Sequence, residues 1–71
     1  MERNFDVVLE RDAEGYYVAS VPALSGCHTQ AQSLDELDRR IREAIELCLE
    51  VDGLPEQNLE FVGIQRVVIA A

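Results

Sequence analysis

Three groups of residues in this 71-residue chain carry side chains able to do chemistry. Cys27 and His28 stand next to each other, the residue types of a thiolate nucleophile and its base. Asp6, Glu43, Glu46 and Glu60 are carboxylates of the kind that gather two Mg²⁺ ions for phosphodiester cleavage. Arg39, Arg40 and Arg42 form the basic cluster that a phosphate site needs.

Each group also has a structural reading, and spacing favours it. Adjacent residues on a strand point to opposite faces, so Cys27 goes inward as a small apolar filler while His28 faces solvent. Each arginine has a carboxylate one helical turn away: Asp35 with Arg39, Glu36 with Arg40, and Asp38 and Glu46 with Arg42. Such pairs neutralise the patch and make it a solvated face. Glu43 and Glu46 fall on the helix side turned away from a sheet, and nothing basic is placed to hold a substrate phosphate. The motifs G-x-S-x-G and H-E-x-x-H and the glycine-rich phosphate loops do not occur. The sequence therefore names no catalytic, cofactor-binding or metal-binding residues, and an enzyme is the weaker alternative.

The elements that position these groups follow from periodicity. Residues 3–10 alternate Phe5, Val7 and Leu9 against Asn4, Asp6, Val8 and Glu10, the period of a strand with one buried face. A charged loop ending in Gly15 closes a hairpin onto a second strand, Tyr16 to Val21, with Tyr17, Ala19 and Val21 on one side. Pro22 ends that strand, and Gly26 allows the return that brings Cys27 to Gln30 back as a third. Ser33 and Glu36 form a capping-box pattern at the head of a helix. Its apolar stripe runs Leu34, Leu37, Ile41, Ala44, Ile45, Cys48. Gly53 and Pro55 stop it. Glu60 to Ile69, rich in β-branched residues, reads as a fourth strand.

The order β-β-β-α-β predicts a two-layer α+β sandwich over residues 1–71, one helix on a four-stranded mixed sheet, with a right-handed crossover setting the last strand parallel to the first. One helix covers one sheet face. Val8, Tyr16, Val18, Val62, Ile64 and Val68 are then the apolar residues of the uncovered side, a subunit or partner interface. Such a short chain buries a small share of its surface, which also points to a homo-oligomer, a dimer or tetramer.

Fourteen Asp and Glu against six Arg give a formal charge of −8, which repels nucleic acid and attracts a basic protein, an RNA-binding protein among them. The hydrophobic fraction of 48% excludes a disordered acidic tail. No apolar run approaches the roughly 20 residues that cross a bilayer. Cys27 and Cys48, with no C-x-x-C and no signal peptide, fit two half-buried thiols used as small apolar fillers in a reducing cytoplasm; a disulfide, or a zinc site completed by carboxylates or a second subunit, is the alternative.

The run Gly15-Tyr16-Tyr17-Val18-Ala19-Ser20-Val21-Pro22, then Gly26-Cys27, Ser33-Leu34-Asp35-Glu36 and Arg42-Glu43-Ala44-Ile45-Glu46-Leu47, resembles the HicB-like antitoxin family, from about Phe5 to Val68. The resemblance implies a degraded RNase H-like fold without catalytic carboxylates. It also implies a partner of the HicA type, a small basic mRNA-cleaving toxin whose active surface the acidic protein covers. Ala23, Ser25 and Ala31 depart from the family's usual acidic residue, second proline and glycine. The chain stops where full-length members commonly continue into a DNA-binding domain, so operator binding is not implied. The alternatives are a HicB-like structural homo-oligomer without a toxin partner and a metal-dependent nuclease remnant.

Overall fold

A computed structural model describes residues 3–54 and 60–70. The chain runs β1 (Val8–Arg11), β2 (Tyr17–Ser20), β3 (His28–Ala31) and α1 (Leu34–Asp52). The strands form an antiparallel sheet of order β1-β2-β3, with Leu9 opposite Ala19 and Ala19 opposite Thr29.

Local chemistry explains the connections. Asp12 closes the hairpin with one carboxylate oxygen, which accepts from the N–H groups of Glu14 and Tyr16 at 2.9 Å each. Gly15 supplies the left-handed φ of 92° that lets the chain re-enter the sheet. Beyond β2, the Val21 N–H donates to Cys27 O, and two turns, Leu24 N–H to Val21 O and Cys27 N–H to Leu24 O, fold the corner around Pro22. Val21, Leu24 and Cys27 are all buried, so the corner belongs to the core rather than to a surface loop.

Ser33 caps α1, its hydroxyl accepting from the Glu36 N–H at 3.2 Å. The reciprocal half expected of the capping box is replaced: the Glu36 carboxylate pairs with Arg40. The Gly53 N–H donates to Leu49 O at 2.8 Å and closes the helix. Pro55, the second expected stop, lies outside the described residues.

The core consists of Ala19, Val21, Leu24, Cys27, Ala31, Leu37 and Ile41, with Phe5, Val7, Tyr17, Ala44, Ile45, Cys48 and Leu49 packed at its margin. Two assignments of the helix stripe change. Leu34, in the first turn, overhangs the sheet and is exposed, while Leu49, left out of the stripe, packs inward. Ala31, where the family favours glycine, ends β3 with its methyl buried.

The expected α+β class is present: the described residues form three antiparallel strands followed by one helix, and the expected fourth strand and RNase H-like arrangement are not seen among them. Residues 60–70 carry neither strand nor helix and are exposed throughout. Their composition suits a strand, but a ladder also needs a neighbour, and no described strand pairs with them. The first strand is likewise shorter than its alternation suggests. In the β1–β2 register Asp6 faces Pro22, which lacks an N–H, so the ladder begins only at Val8.

Candidate protein interface

The residues with chemical potential are not brought together. Cys27 is buried on the helix side of the sheet, while exposed His28 sits on the other, its Nδ1 3.1 Å from Gly26 O. The group nearest the Cys27 thiol chemically is Cys48: burial, with the adjacent Cys48 thiol adding to it, pushes Cys27 up to about 11. Both cysteines are free thiols. A thiol so raised is neutral at physiological pH and inert as a nucleophile.

The carboxylates divide between two clefts. Asp6 and Glu60 border an opening of about 360 Å³ between Asn4–Asp6, Pro22–Ala23 and Glu60–Gly63. Glu46 borders another, of about 340 Å³, between residues 3–7 and α1, and Glu43 borders neither. Among the described residues no three His, Cys, Asp or Glu side chains gather where a cation could bind.

Arg40 and Arg42 are engaged by the helix and the sheet. Arg42 Nε donates to Asp38 Oδ2 at 2.9 Å. Arg40 pairs with Glu36 and also donates from Nη1 to the Gln30 carbonyl at 2.8 Å, a tether from α1 to β3 that helical spacing alone does not reveal. The expected pairs Asp35–Arg39 and Glu46–Arg42 are not formed among the described residues.

What the chain does present is apolar surface bordered by charge. The interface candidates Val8, Tyr16 and Val18 lie half-buried on the sheet face away from α1. Tyr16 is held in place by Gln32, whose Nε2 donates to its hydroxyl at 3.3 Å. The face is mixed, since Glu10, His28 and Gln30 share it and are exposed. Val62, Ile64 and Val68, expected on that face, lie instead in the unpaired segment, with Val62 92% and Val68 89% exposed.

Sequence reasoning overlooked two features. The groove between residues 3–7 and α1 has an apolar floor of Phe5, Val7, Ile41 and Ile45 and a rim of Arg3, Asp38, Arg42 and Glu46. Leu9, on the helix side of β1, is 58% exposed, because α1 packs on β3 and β2 and does not reach β1. The sequence signal for the second was present but indirect, since one helix about 10 Å wide spans roughly two strands 4.8 Å apart.

The described residues form a small α+β module of three antiparallel strands and one helix. The chain belongs to the HicB-like antitoxin family: residues 5–65 match the model described as the HicB_like antitoxin of bacterial toxin-antitoxin system. It is similar to a UPF0150 protein of Archaeoglobus fulgidus, 57% identical over 92% of this chain and 93% of that protein. It is also similar to a UPF0150 protein of Synechocystis, 48% identical over 96% of this chain and 97% of that one. A third, from Thermoplasma acidophilum, is 35% identical over 84% and 94%. No described helix is long and apolar enough to cross a membrane.

Proposed function

We propose that this protein is an antitoxin-type interaction protein: a homo-oligomer that binds a small basic mRNA-cleaving toxin of the HicA kind and blocks its RNA-binding surface. The observation that carries the reading is the family match over residues 5–65. The charge of −8 supports it independently, because an acidic surface competes with RNA phosphates for the same basic residues. Val8, Tyr16, Val18, Val62, Ile64 and Val68 are the residues through which it meets other chains, and they need no cofactor or metal. No catalytic role is assigned, and the natural setting of such a partner is the cytoplasm, where mRNA is translated.

The test is co-expression with the product of the adjacent reading frame, expected to be a small Lys/Arg-rich protein. The expected result is a complex that survives gel filtration at low salt and weakens as salt rises. A neighbour that elutes alone at every salt concentration contradicts the reading and leaves self-association as the remaining role.

A further inference from the structure

We infer that residues Val62–Ile69 of one copy add a strand to the outer edge of β1 in a second copy, and that two chains complete each other's sheets by reciprocal exchange. This deepens the self-association in the reading above and is independent of the toxin.

The edge comes first. In an antiparallel ladder residues alternate between exchanging both backbone hydrogen bonds with the partner and turning them outward. The Asp12 N–H bond to Tyr16 O places that pair in the bonded class, and stepping back by twos puts Glu10 and Val8 there too. Leu9 and Arg11 therefore turn N–H and C=O away from β2, toward an edge that no described strand occupies.

The opposite edge is different. The Val21 N–H bond to Cys27 O fixes the β2–β3 parity, so Gln30 points its carbonyl outward, and Arg40 from the helix already occupies it. Among the described residues only the β1 edge is fully open, and its Leu9 side chain lacks the helical cover that β2 and β3 enjoy. An unprotected edge of this kind is a template for strand addition.

The segment that fits it belongs to the same sequence. Phe61, Val62, Ile64, Val67, Val68 and Ile69 are all exposed large apolar residues, and they fall on both faces of a would-be strand. Arg66 is the one charged residue of Val62–Ile69, so the segment carries +1 and approaches a chain of charge −8 without repulsion. In its own copy the segment starts beside Asn4–Asp6 and Pro22–Ala23, separated from them by the 360 Å³ opening, and pairs with nothing described there. The chain is accordingly distended: its radius of gyration is 13.8 Å, against about 11 Å for a compact domain of this length.

Stoichiometry selects the occupant. Each copy offers one unpaired apolar segment and one open edge, so two copies related by a twofold satisfy both and leave neither exposed. A foreign strand on the edge would leave Val62–Ile69 bare.

The experiment uses the unmodified chain. Light scattering at micromolar concentration gives the mass, and isotope-filtered NOE spectroscopy on a mixture of labelled and unlabelled chains reads contacts between copies. Expected are a mass of at least two chains and intermolecular contacts from the Leu9 methyls to Val62–Ile69. A monomer overturns both the exchange and the self-association. An oligomer whose contacts to Leu9 arise within one chain, or which leaves Val62–Ile69 out, overturns the exchange alone. Val67→Pro and Val68→Pro, tested separately, remove a donor from either strand parity; at least one is expected to halve the mass with the helical circular dichroism unchanged. Retention of the full mass by both contradicts the proposal.

Discussion

Ser33 and Cys27 show how single side chains set the terms for their neighbours. The Ser33 hydroxyl satisfies one of the free N–H groups at the head of α1, and Asp35 and Glu36 follow it where the helix dipole favours negative charge. Ser33→Ala is expected to cost about 1 kcal/mol, lowering the melting temperature by roughly 5 °C in a domain this small. A thermal melt followed at the helix signal checks it. For Cys27 the expectation concerns pH. Burial, with Cys48 beside it, raises the thiol from 9.0 to about 11, so between those values the unfolded chain has lost a proton that the folded chain keeps. Stability from this group is complete below pH 9 and falls as pH rises toward 11. The denaturation midpoint of the native protein should decline across that window more steeply than that of Cys27→Ala. Equal slopes would mean that the thiol is not held protonated by the fold.

At the scale of elements, the parts of the fold legible in the sequence are those specified locally. The hairpin at Gly15, the strand end at Pro22 and the helix start at Ser33 depend on φ preferences and on side chains within four residues of the backbone they serve. What was not legible depends on partners distant in sequence. Phe5 and Val7 alternate correctly for a strand, but Pro22 opposite Asp6 withholds the donor that would extend the ladder to them. Glu60 to Ile69 has strand composition, yet composition does not specify which chain supplies the neighbour. Arg40 read as one of a solvated trio, and only the packing of α1 on β3 places it within reach of Gln30 O. The candidate interface divides in the same way: the face of Val8, Tyr16 and Val18 followed from alternation, whereas the Leu9 edge required knowing where the helix lies. Two substitutions separate these contributions. Ile41→Ala opens a hole at the centre of the α1–sheet contact and is expected to cost about 3 kcal/mol, read as a fall in the urea midpoint. Arg40→Ala removes a half-exposed tether and is expected to cost no more than about 1 kcal/mol. A larger loss for Arg40→Ala than for Ile41→Ala would put the sheet–helix union in the polar tether rather than in the core.

For the whole molecule, the decisive quantities are a charge of −8 and apolar surface that one copy leaves uncovered. The charge sets copies against one another and draws in a basic partner over distances set by the Debye length of about 8 Å at physiological salt. Association with a basic toxin is therefore expected to slow severalfold as salt rises from low to physiological strength, with dissociation changing less; stopped-flow mixing reads both rates. A rate independent of salt would remove electrostatic attraction from the account. The central claim is that this chain acts by covering another protein and carries out no reaction. It is tested most directly by titrating it into the product of the adjacent reading frame, expected to be a basic RNA-cleaving protein, while RNA cleavage is followed. The account predicts that cleavage falls linearly to zero at a fixed ratio of chains, with the RNA left intact by this protein alone. Undiminished cleavage at excess, or cleavage by this protein itself, would contradict it.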